Sequence, residues 1–289
     1  MNGDLNGLIE DTKNRRPCIN KIVKWIFFII IAIAVYACLY GLHLLRRTFV
    51  ADRFIIPTES MAPTLVSGNE VWVNKLLMGA RIYTDFHFDK KGGPLHSFRT
   101  RGLRPITYND IVVFNRANHR GKIKFKINYV YCKRVIGLPG DTVSIVDGHY
   151  KNNNYDGTLG LQEQQDRLAN TPVNEIHRMC RQVIRYDETK PWTIHDFGPL
   201  YIPRRGDVVK VTPTLAQAHG AILEWETGKR IRVDSTGAVT ADGKPFRSHR
   251  FKHNYYFMAG DNVLNSHDSR YLGVVPEEYI VGIVSEIKK

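Results

Sequence analysis

Two side chains in this sequence have surroundings suited to nucleophilic chemistry, Ser60 and Lys133. Ser60 lies in Phe-Ile-Ile-Pro-Thr-Glu-Ser-Met-Ala-Pro-Thr-Leu, residues Phe54 to Leu65. Pro57 and Pro63 fix φ on either side of it, so the chain cannot continue there as regular helix or central strand. A serine between prolines is ordinarily a turn residue, so a chemical role requires a base. The eleven histidines are scattered, and none sits in a context that suggests a Ser-His-Asp set. Lys133 differs, because it lies in Tyr-Val-Tyr-Cys-Lys-Arg-Val-Ile-Gly, a charge among apolar strand residues. A free lysine titrates near about 10.4, and burial disfavours its charged form. A lysine in such a strand can therefore act as a neutral base, whereas an isolated one would simply pair with a carboxylate.

Positioning these two groups calls for mostly β structure. Val71 to Val73 is a short β-type run, and Ile111 to Phe114 is a continuous apolar run after the turn-like Tyr108-Asn109-Asp110. Asn128 to Ile136 is rich in Tyr and Val, Leu138 to Asp141 breaks it, and Thr142 to Val146 alternates again before a hairpin turn at Asp147-Gly148. Residues 77–105 read as an extended, glycine- and arginine-rich excursion. From 149 the character changes: Leu161 to Arg181 is a helix candidate, and Tyr201 to Val209 restarts β structure. Tyr255 to Met258 returns to buried strand, Gly260 to Gly273 is a dense polar loop, and Tyr279 to Ile287 is a final strand. The expected organisation is a tail (1–21), an apolar anchor (22–46), a first core part (47–148), an inserted α+β domain (149–252) and a second core part (253–289).

The anchor is the 21-residue stretch Trp25 to Leu45, which contains no Asp, Glu, Lys or Arg. At about 1.5 Å per residue a helix of that length matches a hydrocarbon core of about 30 Å. A cleaved leader would have a shorter apolar region. Basic residues before the span outnumber those after it, which favours an internal N-terminus and an external bulk domain. The 289 residues carry a net charge of +13. Thirteen Lys or Arg fall between Arg81 and Arg134, against three acids. Without stacking aromatics or a nucleic-acid motif, this stretch is expected to face anionic lipid headgroups or water, not nucleic acid. The four cysteines, Cys18, Cys38, Cys132 and Cys180, show no zinc spacing and read as packing residues, with Cys132–Cys180 the one bridge available outside the anchor.

Four motifs follow the anchor in order: Ile-Pro-Thr-Glu-Ser-Met-Ala-Pro-Thr-Leu, Asn-Asp-Ile-Val-Val-Phe, Cys-Lys-Arg-Val-Ile-Gly-Leu-Pro-Gly-Asp and Gly-Asp-Asn-Val-Leu-Asn-Ser-His-Asp-Ser-Arg-Tyr-Leu-Gly. Together they resemble bacterial type I signal peptidase, a membrane-bound Ser-Lys endopeptidase that removes signal peptides from exported proteins. The resemblance covers the anchor, 54–146 and 255–284, while the block between matches mainly by position. It implies Ser60 as nucleophile and Lys133 as general base. Thr58 would share the oxyanion hole with the Ser60 backbone N–H, and Ser266 would hold the lysine amine. Asp268 and Arg270 would support that loop, and Ile56, Pro57, Tyr131 and Cys132 would line shallow pockets for an Ala-X-Ala site. It further implies a β-sheet catalytic domain behind a single transmembrane helix, no metal and no cofactor. Partners would be signal-peptide-bearing preproteins and the phospholipid bilayer, with the catalytic domain outside a bacterial inner membrane. Glu59 departs from the glycine common in relatives, and a carboxylate near Lys133 would favour the protonated amine, so Glu59 is expected to point to solvent. Val263-Leu264 is less polar than usual. Rival readings are a same-family peptidase dedicated to one secretion or conjugation system, a self-cleaving Ser-Lys repressor, which would carry a DNA-binding head in place of the anchor, and a non-enzymatic envelope protein.

Overall fold

The computed structural model describes residues 4–85, 95–115, 117–119, 122–176, 183–184 and 191–288, and only the backbone for 4–20, 22 and 117–119. The chain divides into two compact units, Met1–Arg47 and Thr48–Lys289. The first is a helix, α1 (Asp4–Leu45), which passes into a π-helical turn at Arg46–Val50. Val23–Val50 is long and apolar enough to cross a membrane, and side chains such as Trp25, Phe28 and Leu39 stand exposed along it.

The second unit is built on a seven-stranded antiparallel sheet. Its strands in chain order are β1 (Ala51–Ile55), β2 (Glu70–Asn74), β3 (Ile111–Asn115), β4 (Val130–Gly137), β5 (Tyr255–Ala259), β6 (Val275–Pro276) and β7 (Ile280–Lys288). They lie in the order β1-β2-β7-β3-β4-β5-β6. The last long strand, β7, thus inserts between β2 and β3, so the two ends of the unit share one ladder. Alternation along β3 sends Val112 and Phe114 into a large core and Val113 into a smaller one with Ile56, Met61, Leu65, Val71 and Val73. The smaller core lies under the Ser60 turn. β5 is buried at every residue, as a central strand covered on both faces must be.

Asp147 and Gly148 both take positive φ, 48° and 80°, in the two-residue turn between Thr142–Val146 and His149–Asn152. The excursion expected at 77–105 holds a two-stranded hairpin, Arg81–Tyr83 with Ser97–Arg99. The large core runs unbroken across residue 149: Leu168, Phe197, Leu200, Ile202 and Leu223 pack in it with Val135 and Phe257. The helix expected at Leu161 to Arg181 is shorter: α2 covers Gln162–Ala169. Pro172 cannot donate to a continuing helix, and Asn170 Nδ2 and Thr171 Oγ1 cap the Asp166 and Arg167 carbonyls. Residues 177–181 and Cys180 lie outside the described residues. Helix α3 (Pro213–Thr227) starts with a Thr212 cap and ends at Gly228 in the left-handed region, φ 67°.

The basic stretch is not a uniform solvated face. Arg81 donates to the carbonyls of Glu278 and Tyr279, and Arg99 to those of Gly79, Glu277 and Ile280. Arg104 chelates Asp110, Arg134 chelates Asp261, and Lys133 is buried. The two hairpin guanidiniums thus tie the hairpin to the backbone at the start of β7. Paired or buried in this way, these five cations have less to offer lipid headgroups.

Candidate active site

The Ser60 turn is held from beneath and from the side. Met61 and Leu65 are buried in the smaller core, and Leu65 N–H donates to the Met61 carbonyl at 2.9 Å. Ala62 N–H closes the turn on the Glu59 carbonyl at 3.0 Å, and Asn262 N–H donates to the Ser60 carbonyl at 3.2 Å. The hydroxyl is thereby left at the surface of a cleft of about 580 Å³, lined among others by Ile56, Pro57, Thr58, Tyr131, Cys132 and Lys133.

Lys133 enters this cleft from β4, with 2% of its surface exposed. Its Nζ lies 2.5 Å from Ser60 Oγ and donates to the Cys132 carbonyl at 3.0 Å. Burial strips water from the amine and lowers its pKa; the Asp268 and Asp261 carboxylates oppose that shift, and the Arg270 guanidinium adds to it. No carboxylate pairs directly with Lys133 among the described residues. Thr58 Oγ1 stands 3.3 Å from Ser60 Oγ. Ile56, Pro57, Tyr131 and Cys132 line the cleft as the sequence suggested. Burial pushes the half-buried Cys132 thiol up to about 12, so it remains a neutral wall group.

Ser266 is brought to the same place without contacting the amine. Its Oγ is buried beside the Asp268 carboxylate and makes no hydrogen bond of good geometry, while Lys133 turns to Ser60 and Cys132. Asp268 and Arg270 form a fully buried bidentate pair, with Nε to Oδ1 at 2.9 Å and Nη2 to Oδ2 at 2.8 Å. Asp268 also accepts Gly260 N–H, and Arg270 donates to the Val263 carbonyl, so the pair clamps the loop between β5 and β6. Glu59 is exposed, as expected, and its carboxylate caps the Ser67 N–H at 3.0 Å.

Four site residues, Arg134, Asp261, Thr64 and Gly260, lay inside quoted motifs without an assigned role. Arg134 grips Asp261 with Nε and Nη2, both at 2.7 Å, and Thr64 Oγ1 donates to the same carboxylate. This cluster ties the Ser60 turn, the Lys133 strand and the Gly260 loop together. Gly260 is the fourth: a Cβ there would collide with Ser266 Oγ and the Ser60 carbonyl. The Lys-Arg and Gly-Asp-Asn words contained this signal, but only proximity in space gives it meaning.

The family described as "Signal peptidase, peptidase S26" matches residues 22–287. The chain is 28% identical to signal peptidase I of Buchnera aphidicola subsp. Baizongia pistaciae over 82% of its own length and 69% of the relative's. It is 30% identical to signal peptidase I of Pseudomonas aeruginosa, over 83% of this chain and 65% of that one. The corresponding enzyme of Rickettsia bellii (strain OSU 85-389) is 30% identical over 89% and 70%. A solved signal peptidase I from Enterococcus faecalis V583 overlays 64% of this chain and 100% of its own at 18% identity and TM-score 0.31, too loosely to argue from. With a family match over most of its residues, the chain belongs to the signal peptidases of the peptidase S26 family.

Proposed function

We propose that this chain is a membrane-anchored serine endopeptidase that cleaves signal peptides from exported preproteins after small residues, using Ser60 and Lys133. The observation that carries the proposal is the 2.5 Å approach of a buried, desolvated Lys133 amine to Ser60 Oγ. In the neutral state that amine takes the Ser60 proton as Oγ attacks the scissile carbonyl. The Ser60 N–H and the Thr58 hydroxyl receive the oxyanion. The protonated amine then gives its proton to the leaving amino group, and Lys133 activates the water that hydrolyses the acyl-enzyme. Cleft walls built from Ile56, Pro57, Tyr131 and Cys132 suit small side chains before the cut. The exposed apolar helix supports membrane anchoring by Val23–Val50, with the basic tail on the cytoplasmic side of a bacterial inner membrane. The test is purified full-length chain in detergent with a precursor carrying Ala-X-Ala: cutting after the second Ala is expected, and its persistence in Ser60→Ala would exclude the proposal.

A further inference from the structure

Glu59 stands beside the nucleophile, exposed, on the wall of the same cleft. Three contacts hold it. Its Oε1 accepts Ser67 N–H at 3.0 Å, and its backbone carbonyl accepts Ala62 N–H at 3.0 Å and Asn262 Nδ2 at 3.1 Å. Among the described residues no Lys, Arg or His pairs with the carboxylate. Asp268 and Asp261 are the carboxylates that oppose the effect of burial on Lys133. The result is a negatively charged group, fixed in position by Ser67, open to solvent and one residue from Ser60.

The cleft has two characters. Phe54 and Ile55 on β1 and Val130 and Tyr131 on β4 give it an apolar part, whereas Glu59 in the Ser60 turn and Asn265 and His267 in the loop after β5 give it a polar part. Asn265 and His267 are exposed on the loop that Asn262 ties to the Glu59 and Ser60 carbonyls. An extended peptide with its scissile carbonyl at Ser60 Oγ would meet both parts. The apolar part suits the small apolar side chains before the cut, which leaves the polar part for the residues after it.

We infer that Glu59 reads the first residues after the scissile bond by charge, favouring cationic and disfavouring anionic side chains there. This rests on the peptidase reading above. The probe is a set of precursors alike except for Ala, Lys or Asp at the first and second positions after the cut, given to the full-length chain in detergent. An exposed charge contact supports a Lys-to-Asp ratio in kcat/KM of about threefold or more. That ratio is expected to fall to about one in Glu59→Gln, which retains an acceptor for Ser67 N–H, and to invert in Glu59→Lys. In the wild type, raised salt is expected to shrink it, a measurement that needs no variant. Equal cutting of the Lys and Asp precursors, or a ratio that survives in Glu59→Gln, overturns the inference while the peptidase reading stands. Failure to cut even the Ala precursor overturns both.

Discussion

Lys133 keeps only 2% of its surface exposed, and that burial governs its protonation. Its folded pKa lies below the unfolded value of about 10.4, because burial penalises the cation. Between those two values the unfolded chain binds a proton that the folded one does not, so folding stability rises with pH through that window and levels off above about 10.4. Lys133→Met lacks the proton, so thermal scans across pH should show the wild type gaining on it as pH rises. An unchanged gap would mean an amine that is not desolvated. Activity should follow the same ionisation, with kcat/KM rising with pH through one step below about 10.4; a flat profile would contradict a lysine base. Thr58→Val should lower kcat by about 100- to 1,000-fold with KM little changed, whereas Thr58→Ser should keep most activity. Single-turnover kinetics on one precursor separate these outcomes.

At the scale of elements, the site is an intersection of three segments: the Ser60 turn, β4 and the loop after β5. Asp261 joins all three through Arg134 and Thr64, with its side chain 1% exposed. Removing one partner of a buried pair leaves the other charge unmatched, at a cost of about 3–5 kcal/mol. Asp261→Ala should therefore lower the denaturant midpoint strongly, whereas Asp261→Asn, which still accepts hydrogen bonds, should lose less. A small loss in Asp261→Ala would remove the clamp from the account. Gly260→Ala acts differently, since its new Cβ pushes on Ser266 and the Ser60 carbonyl. It should depress kcat far more than it lowers the midpoint, and equal proportional losses would point to general unfolding instead.

For the whole molecule, the 28-residue apolar span Val23–Val50 predicts firm membrane retention. The full chain should remain with the membrane through an alkaline carbonate wash, and an N-terminal tag should resist protease added outside while the large unit is digested. Release by the wash would count against an anchor. The lipid role expected for residues Arg81 to Arg134 is reduced, because Arg81, Arg99, Arg104, Lys133 and Arg134 serve the fold or the site. Remaining cations such as Lys122 and Arg101 stay exposed and can still meet headgroups.

Much of this protein was legible in local sequence. An uncharged run of 21 residues is written as a helix, a continuous apolar run marked the strand at Ile111–Asn115, alternation the one at Thr142–Val146, and the final strand at Ile280–Lys288 was placed within a residue or so. Proline-bracketed Ser60 and apolar-flanked Lys133 stood out because turn chemistry and desolvation are written in neighbouring residues. What the sequence left open are contacts between distant segments. The Lys133–Ser60 contact spans 73 positions and the Thr64–Asp261 contact spans 197. Such pairs depend on which strands become neighbours and in what register, a choice made by burial over the whole sheet, where β7 inserts between β2 and β3. The inward turn of Arg81 and Arg99 was hidden for the same reason. A guanidinium looks solvated in sequence until backbone carbonyls from the other end of the chain are brought within its reach.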